Sequence, residues 1–305
     1  MARLLIVGGG GFIGTHTCLT LLNSNHKLVV IDNFTNSSPL ALNKVCELAG
    51  ISSKPQDLFQ VRKGDVRDYN FLIKVFDEFK KINKPIQGVI HFAGLKSVKE
   101  SIKNPLEYWD INFRGTLNLI KVMEKFQCKT LVFSSSATIY GCPENIPIPE
   151  NETIKPLNPY GNTKASAEKI MADVAGCANT TKVLNYSTNG WRIARLRYFN
   201  PVGAHPSGKI GEAPNGNPDN LFPFISQVVT GKREFLEIFG NDWPTKDGTG
   251  IRDYIHIMDL AEGHCAALKY LLISEPTLLT LNLGTGTGTS VMEVVDEFEK
   301  IIDKK

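Results

Sequence analysis

Residues 3–14 read RLLIVGGGGFIG and join a short apolar run directly to a glycine-rich turn. Within the turn, Gly8, Gly11 and Gly14 are spaced three residues apart. A glycine at the first position permits a tight turn, at the second it lets the backbone approach a pyrophosphate, and at the third it lets a helix pack closely on the strand. A helix that begins here would direct free N–H groups and its positive dipole end at the phosphates.

An acidic residue follows this turn at a meaningful distance. A helix-like stretch leads to a second apolar run, residues 28–31, which ends at Asp32, 18 residues after Gly14. A carboxylate at this point accepts hydrogen bonds from a ribose 2′-hydroxyl and repels a 2′-phosphate, which favours NAD over NADP. Glycine-rich turns also close purely structural β-α units. Because strand, helix and second strand are all present, we predict a dinucleotide site.

Apolar runs alternate with amphipathic stretches through the first two thirds of the chain. Further strands are predicted at 58–62, 88–92, 130–134 and 191–198, with helical stretches that include 71–79 and 112–126. The strands are continuously apolar, as expected when helices cover both faces of a parallel sheet. This alternation predicts an α/β protein with a doubly wound parallel sheet.

The sequence pattern changes after Asn200. Residues 201–220 are rich in glycine, proline and asparagine without a sustained period, which predicts a smaller lobe or loop. Residues 176–190 are polar and turn-rich, and we interpret them as a surface insertion. We expect residues 1–199 to form the dinucleotide-binding domain. Residues 200–305 are expected to form mainly a substrate lobe, with segments around 251–300 packing back on the first domain.

Composition argues against several classes of protein. The 305 residues carry 34 basic and 31 acidic side chains, a net charge of +3 that is too balanced for a nucleic-acid groove or an anionic membrane surface. The six cysteines lie far apart without zinc-ligand spacing, so we predict no metal site and expect reduced thiols in the cytoplasm. The N-terminal apolar run is too short for a signal-peptide core or a membrane span.

Three polar residues downstream are the candidates for chemistry. Ser136 follows the strand LVFSS, and Tyr160 and Lys164 in NPYGNTK stand one helical turn apart on one face. Free tyrosine titrates near 10, so a phenolate base at neutral pH needs its pKa lowered by about three units, roughly 4 kcal/mol. The Lys164 ammonium and an oxidised nicotinamide both have the required sign, and Ser136 would orient the substrate oxygen. Together they indicate hydride chemistry at an alcohol or ketone, whereas a Tyr–Lys pair alone also occurs by chance.

Longer stretches resemble the extended short-chain dehydrogenase/reductase superfamily, and within it the UDP-glucose 4-epimerase family. They are GGGGFIGTHT at 8–17, VIDNF at 30–34, GDVRD at 64–68, HFAGLKSVKES at 91–101, FSSSATIYG at 133–141, NPYGNTK at 158–164, RYFNPVGAHPSGKIGE at 197–212 and FGNDWPTKDGTGIRDYIHIMDLA at 239–261. The last two are typical of this family rather than of the superfamily. The resemblance implies a Rossmann-like fold with a smaller C-terminal substrate lobe.

The resemblance also implies roles for individual residues. Catalysis would fall to Tyr160 as base, with Lys164 and Ser136. NAD would contact Gly8, Gly11, Phe12, Ile13, Gly14, Asp32, Asn33, Asp65, Val66, Phe92, Ala93, Gly94, Lys96, Asn112, Ser134, Tyr160, Lys164 and Tyr198. The UDP-sugar would contact Ser136, Thr138, Tyr160, Phe199, Asn200, Asn220, Leu221, Phe239, Arg252 and Tyr254.

The activity implied by the resemblance is the interconversion of UDP-galactose and UDP-glucose in galactose metabolism. Tyr160 would remove the C4 hydroxyl proton while the C4 hydride passes to tightly bound NAD, giving a 4-keto sugar. Rotation of the hexose then exposes its other face, so that return of the hydride inverts C4. The family also implies a homodimer formed through helices of the cofactor domain.

One departure from the family lies at the C-terminus. The chain ends at Lys305, within a stretch that reads as a helix after NLGTGTGTS, whereas relatives continue for several tens of residues. In the family that tail carries an Arg-x-Gly-Asp element that grips the nucleotide and a residue that gates between glucose and N-acetylglucosamine forms. We therefore expect a truncated chain, and we expect weaker nucleotide affinity if Lys305 is the natural end.

Two kinds of alternative function stay open at this point. One is another enzyme of the superfamily that acts on a nucleotide sugar, such as a UDP-pentose or UDP-uronate 4-epimerase. A 4,6-dehydratase is disfavoured because SSSAT at 134–138 lacks the Asp-Glu pair that elimination requires. The other is a non-catalytic NAD- or nucleotide-binding protein, if the short C-terminus is natural.

Overall fold

The computed structural model describes residues 1–51, 57–177, 182–213 and 218–302. Its strands, in chain order, are β1 (Arg3–Val7), β2 (Lys27–Asp32), β3 (Phe59–Lys63), β4 (Gly88–His91), β5 (Thr130–Ser136), β6 (Leu184–Tyr186), β7 (Arg192–Tyr198), β8 (Asn200–Val202), β9 (Ile251–His256), β10 (Thr277–Leu283) and β11 (Gly288–Ser290). Its α-helices are α1 (Phe12–Asn23), α2 (Pro39–Leu48), α3 (Tyr69–Lys81), α4 (Val98–Lys103), α5 (Pro105–Tyr108), α6 (Gly115–Lys125), α7 (Pro159–Ala175), α8 (Leu221–Val229), α9 (Ile257–Ile273) and α10 (Val291–Ile302).

The larger sheet has the strand order β3-β2-β1-β4-β5-β7-β10-β6. All neighbouring pairs in it are parallel except β10 with β6. The order runs outward from β1 in one direction through β2 and β3, and in the other through β4 and β5. Such a reversal leaves a crevice outside the carboxyl ends of β1 and β4, where ligands bind in open α/β sheets.

Two apolar clusters cover the two faces of this sheet. Leu5 and Val7 of β1 pack with side chains of α3, α6 and α7, whereas Leu4 and Ile6 pack with α1, α2 and α9. Successive side chains of a strand point to opposite faces, so a strand buried on both faces is apolar throughout. This arrangement confirms the prediction of a doubly wound parallel sheet.

A second sheet contains the short strands after Asn200. Its order is β11-β9-β8, with β8 parallel to β9 and β11 antiparallel to it. Within 201–220, the described residues include β8 and an isolated bridge between Ala204 and Gly211, while 214–217 lie outside the described residues. The chain then returns to the large sheet through β10, which pairs with β7.

The interpretation of 176–190 as a surface insertion was wrong for part of that segment. Residues 184–186 form β6, which hydrogen-bonds to β10 at the edge of the large sheet. The strand has only three residues and is mostly exposed, so it is too short to show a hydrophobic period. Residues 178–181 lie outside the described part. In the part of the chain that the structure describes, no helix has the length and apolar character needed to cross a membrane.

Candidate active site

The predicted nucleotide and catalytic residues collect at the carboxyl edge of the large sheet. Gly8 follows β1 and Ala93 follows β4, and the two loops touch there, since a Cβ at Gly8 would lie 2.5 Å from the Ala93 amide nitrogen. Ser136 and Tyr198 end β5 and β7 at the same edge and are register partners. Tyr160 and Lys164 lie at the start of α7, which packs on β5.

The glycine turn has the geometry that its spacing predicts. Gly8 has φ +80, and a Cβ at Gly14 would lie 2.6 Å from the Gly8 carbonyl oxygen and 2.7 Å from the Cα of Gly9. Gly11 is the N-cap of α1, and among the described residues no side chain caps this helix end. A Cβ at Gly11 would meet only the Gly8 oxygen, at 3.6 Å. This open, uncapped helix N-terminus suits a pyrophosphate.

Asp32 is buried beside the turn. One carboxylate oxygen accepts the Gly10 amide at 2.8 Å, and the other accepts the Phe34 amide and the Ser37 hydroxyl, both at 2.8 Å. These bonds fix an anionic acceptor at the end of β2, where an adenosine ribose would lie. The fit of the turn and of Asp32 to an adenine dinucleotide therefore rests on both shape and charge.

Two further predicted positions lie on the same side of the cleft. Asn33 donates to Asp65 at 3.0 Å, and Arg67 binds both oxygens of Asp65 at 2.8 and 2.9 Å. The neighbouring guanidinium holds the pKa of the Asp65 carboxyl well below its usual range. Val66 is buried against Gly115 at the start of α6.

Asn112 lies in a π-helix over Trp109–Arg114, between α5 and α6. Its side chain accepts the Leu95 amide at 2.7 Å, donates to the Leu95 carbonyl at 3.0 Å and donates to Thr163 of α7 at 3.2 Å. The buried amide thereby joins the loop after β4 to α7. Single-turn π-helical segments are frequent at functional sites because they redirect one side chain out of helical register.

The catalytic candidates are tied to the end of β5. Lys164 Nζ donates to the Ser134 carbonyl at 2.7 Å and lies 6.0 Å from the centre of the Tyr160 ring. Thr138 donates to the Ser136 hydroxyl through its amide at 3.2 Å and through its own hydroxyl at 2.9 Å. All three predicted catalytic side chains, Ser136, Tyr160 and Lys164, are buried.

Burial dominates the electrostatics of this group. It raises the pKa of Tyr160, and the hydrogen bond with Ser136 opposes that change. It also lowers the pKa of Lys164 to about 8, although the negative charge of Glu168 acts the other way. The sequence analysis expected Lys164 to lower the pKa of Tyr160. In the structure the Lys164 ammonium donates to the Ser134 carbonyl, and the hydrogen bond with Ser136 opposes the upward change in the pKa of Tyr160.

An aromatic group joins α9 to the carboxyl ends of β4 and β7. His264 of α9 lies between Phe92 and Tyr198, with ring centroids 4.9 and 5.8 Å away. The Tyr198 hydroxyl is hydrogen-bonded to the hydroxyl of Ser134. Burial lowers the pKa of His264 to about 4, so this ring is neutral at physiological pH.

The predicted sugar-nucleotide residues are more dispersed. Asn200 and Tyr254 are register partners in the small sheet, and Phe222 of α8 packs on the Tyr254 ring at 5.3 Å. Phe199 lies beside Gly284 at the start of that sheet, and Leu221 begins α8. Exposed side chains among the predicted set are Asn220, Phe239 and Arg252, of which Phe239 is 83% exposed.

Two residues at the site were missed by the sequence analysis. Glu212 accepts Lys96 Nζ at 2.8 Å and the Asn220 amide at 3.0 Å, so it joins a predicted cofactor residue to a predicted substrate residue. Glu168 lies four residues after Lys164 on the same face of α7 and is fully buried. Its spacing from Lys164 was the available signal, whereas the partners of Glu212 are distant in sequence.

Known proteins are similar to this chain over most of its length. A model of the NAD dependent epimerase/dehydratase family matches residues 4–277. The chain belongs to this family. Family membership confirms the resemblance drawn from the motifs, the fold class and the dependence on NAD.

Individual members of the family are similar over nearly the whole chain. The UDP-glucose 4-epimerase of Bacillus subtilis (strain 168) is 50% identical over 302 residues, which cover 99% of this chain and 83% of the relative. A bifunctional UDP-glucose 4-epimerase and UDP-xylose 4-epimerase of Pisum sativum is 49% identical over 304 residues, covering 99% and 82%. The crystal structure of UDP-glucose 4-epimerase from Bifidobacterium longum in complex with NAD+ and UDP has a TM-score of 0.88 at 44% identity, covering 99% and 84%.

Proposed function

We propose that this protein interconverts UDP-galactose and UDP-glucose by inverting C4 of the hexose with NAD bound. The observation that carries the proposal is the convergence of Tyr160, Ser136 and Lys164 beside the glycine turn at the carboxyl edge of the sheet. Support comes from the relatives, since UDP-glucose 4-epimerases are 50% identical over 99% of the chain. The protein is accordingly an isomerase of galactose metabolism.

The side chains at the end of β5 and the start of α7 divide the proton chemistry between them. Tyr160, as phenolate, takes the proton of the C4 hydroxyl and later returns a proton to the same oxygen. Ser136 donates a hydrogen bond to that oxygen, and Lys164, held by the Ser134 carbonyl, places its positive charge near the phenolate. The chemistry that bound NAD supplies is reversible acceptance of the C4 hydride.

The NAD site is proposed at the crevice between β1 and β4. The turn from Gly8 to Gly14 faces the pyrophosphate, and Asp32 faces the adenosine ribose. The remaining proposed contacts are Phe12, Ile13, Asn33, Asp65, Val66, Phe92, Ala93, Gly94, Lys96, Asn112, Ser134 and Tyr198, of which Val66, Asn112, Ser134 and Tyr198 are buried. Lys96 bonds to Glu212 through one of its three N–H donors, which leaves the others for a phosphate.

The UDP-sugar is proposed to lie between the large sheet and the small one. Residues 1–199 bind mainly NAD and residues 200–305 bind mainly UDP-sugar, while the segment around 251–300 supports both because α9 and β10 pack on the large sheet. Arg252 offers a planar donor fork for the diphosphate, and Phe239 offers an exposed ring for uracil. The other proposed contacts are Thr138, Phe199, Asn200, Asn220, Leu221 and Tyr254.

The activity is tested by incubating the purified chain with UDP-galactose alone, stopping the reaction, and then measuring UDP-glucose with a dehydrogenase. We expect turnover without added redox partner and release of NAD when the protein is denatured. The pea relative named for both UDP-glucose and UDP-xylose makes UDP-xylose a useful second substrate in the same assay. Turnover of a UDP-pentose alone, or a dehydrated product, would reject the assignment.

A homodimer is proposed through helices next to the active site. The helices α4, α5 and α7 pack against one another. Exposed apolar side chains lie on α4, on α5 and just before α7, and Leu106 of α5 is 81% exposed. The other members of this apolar group are Val98, Ile102 and Leu157. Burying such a patch favours association. Light scattering should give twice the chain mass.

Replacing Leu106 with glutamate should shift that dimer toward monomer, because a carboxylate would be desolvated at the interface. Ile273→Glu is the matched control, since Ile273 is equally exposed but lies at the far end of α9. A dimer that tolerates the Leu106 change as well as the Ile273 change would place the interface elsewhere.

A cytoplasmic location is proposed from the thiols. All six cysteines lie within the described residues and are free, and Cys18 and Cys128 are buried. Unpaired thiols suit a reducing compartment. Cell fractionation with an antibody against the native protein tests the location.

A further inference from the structure

A buried ion cluster lies directly behind the catalytic group. Glu168 is 1% exposed and stands one helical turn after Lys164 on α7. Arg197 Nη2 donates to the Glu168 carboxylate at 2.6 Å, and its Nε lies 3.0 and 3.2 Å from the two oxygens. Ser135 donates to the same carboxylate at 2.6 Å, and Arg195 lies 3.7 Å away. A carboxylate with this many donors is held in one position.

The two donors from the sheet are neighbours on adjacent strands. Ser135 of β5 and Arg197 of β7 are register partners, and so are the next residues, Ser136 and Tyr198. Side chains alternate between the faces of a sheet. Ser135 and Arg197 therefore lie on the face of the sheet that binds Glu168. Ser136 and Tyr198 lie on the opposite face, toward the cleft.

The helix is attached to β5 at consecutive residues. Tyr160, Lys164 and Glu168 recur every four residues along α7 and are all buried. Lys164 donates to the carbonyl of Ser134, and Glu168 accepts from the side chain of Ser135. Any rotation or slide of α7 against β5 would therefore break the Glu168 contacts and move the Tyr160 phenol relative to Ser136.

Glu168 also places a negative charge one helical turn from the lysine. The titratable groups that face Lys164 are Tyr160 and Glu168 on α7 and His91 on β4, and the Phe133 ring lies 5.0 Å from Nζ. Burial lowers the pKa of His91 to about 3, so that imidazole is neutral. Among these groups only Glu168 stabilises the ammonium by its charge.

We propose that Glu168 is a positioning residue for the reaction at Tyr160: its carboxylate fixes α7 to β5 and β7, and its charge keeps Lys164 an ammonium. The kinetic part rests on the proposed epimerase function, whereas the charge of Lys164 can be measured without turnover. A purely structural ion pair would affect only the stability of the fold.

Three variants separate these roles. Glu168→Gln keeps the shape and removes the charge, and Ser135→Ala keeps the ion pair but removes one attachment to β5. Thr280→Val is the matched control, because Thr280 accepts from Arg195 in the same cluster without touching the Glu168 carboxylate, β5 or Lys164. Thermal unfolding, kcat, KM and the pH dependence of kcat are measured for each.

We expect Glu168→Gln to lower kcat about 10- to 100-fold with KM within about twofold of wild type, since loss of alignment acts on the chemical step. Removing the carboxylate charge lowers the pKa of Lys164, so the alkaline limb of kcat should move to lower pH. NMR of lysines labelled at Cε, with Lys164 assigned from a Lys164→Met spectrum, should show the same shift. Ser135→Ala should lower kcat about tenfold without moving the alkaline limb, and Thr280→Val should lower only the unfolding midpoint.

The proposal is overturned if Glu168→Gln and Ser135→Ala lose stability as Thr280→Val does while kcat, the alkaline limb and the Lys164 titration stay at wild-type values. If Glu168→Gln does not fold, Glu168→Asp takes its place, because aspartate keeps the charge on a side chain one methylene shorter. The kcat values of Glu168→Asp and Ser135→Ala then decide whether Glu168 is a positioning residue. Absence of epimerisation in the wild type would reject the proposed function, and the Lys164 titration of NAD-bound protein would then still decide whether Glu168 sets the lysine charge.

Discussion

At the level of single residues, Tyr160 illustrates how local signals place a functional group. Asn158 caps α7 by accepting the Gly161 amide at 2.8 Å, and Pro159 starts the helix. Both act within a few residues of Tyr160, so the sequence alone predicts the position of the phenol on the helix. Its burial raises the pKa and favours the neutral phenol, so its proposed role as a base requires hydrogen bonds and positive charge near it.

Replacing Tyr160 with phenylalanine should abolish epimerisation while leaving NAD bound. Removal of a general base typically costs 10²–10⁴-fold, so we expect kcat to fall about 10³-fold in the coupled assay. NAD released on denaturation, measured by ultraviolet absorbance, should stay equimolar. Tyr108→Phe is the matched control, because Tyr108 packs edge-on against Tyr160 and donates to the Ser97 carbonyl instead. A wild-type rate in Tyr160→Phe would remove this residue from the mechanism.

Residues that act through distant partners could not be predicted in the same way. Ser136, Tyr160 and Lys164 stand at the ends of elements that the sequence pattern defines. In contrast, Glu168 is bonded to Arg197, 29 positions away, and Glu212 to Lys96, 116 positions away. Such pairs depend on strand order and register, which hydrophobic periodicity does not encode.

At the level of elements, two glycines of the turn have different surroundings: one packs against backbone, and the other leaves room for a ligand. Gly14 faces the backbone of Gly8 and Gly9, whereas Gly11 faces open space at the N-terminus of α1. The two glycines were predicted to have different duties, and the distances support that difference.

Substitution of Gly14 and of Gly11 by alanine should therefore have different effects. Gly14→Ala should destabilise the fold by about 1–3 kcal/mol, because its Cβ would overlap backbone that cannot rotate away. Gly11→Ala should keep the unfolding free energy of the NAD-free protein within about 0.5 kcal/mol, since its Cβ meets nothing closer than 3.6 Å. It should nevertheless weaken NAD binding. Denaturant unfolding measures the stability of each variant, and calorimetric titration measures its NAD binding. An equal loss of stability in both variants would contradict the different roles of Gly14 and Gly11.

The N-cap of α7 gives a second test at this level. Asn158→Ala should lower the unfolding free energy by about 1 kcal/mol, as should Ser38→Ala at the N-cap of α2, where the serine hydroxyl accepts the Leu40 amide. Only the first change frays the turn that carries Tyr160, so kcat should fall in Asn158→Ala alone. Coupled assays and denaturant unfolding of both variants are compared, and equal rates would show that the cap does not hold the phenol.

At the level of the whole molecule, the sequence pattern predicted the layered architecture because both faces of the central strands are covered. The apolar runs became β1 to β5 and β7, with ends within one residue of those predicted, apart from the carboxyl end of β5, which is two residues longer. The edge strand β6 was missed because it has only three residues, two of them exposed, and its pairing with β10 is long-range. The small sheet was likewise invisible to periodicity, since β8 and β11 have three residues each.

Two buried histidines on opposite faces of the sheet make the stability of the fold sensitive to acid. Burial lowers the pKa of His91 to about 3 and that of His264 to about 4. Each ring has one nitrogen bonded within the fold, His91 to the Thr116 hydroxyl and His264 to the Leu260 carbonyl. Their other ring nitrogens are buried and find no partner among the described residues. Protonation of these rings is thus possible mainly in the unfolded chain.

Because the folded pKa values lie below the unfolded value of about 6.5, this stability is present above pH 6.5 and is lost as the pH falls toward 4. Linkage gives a loss of roughly 2 kcal/mol per histidine between pH 7 and pH 5. Replacing His264 with leucine should remove the contribution of this histidine to the pH dependence. The unfolding free energy, measured with urea, should then differ between pH 7 and pH 5 by about 2 kcal/mol less than in the wild type. Leu271→Ala, which removes a buried side chain of the same helix and no imidazole, is the control and should leave the pH difference unchanged. An unaltered pH difference in His264→Leu would mean that its ring gains a proton without unfolding.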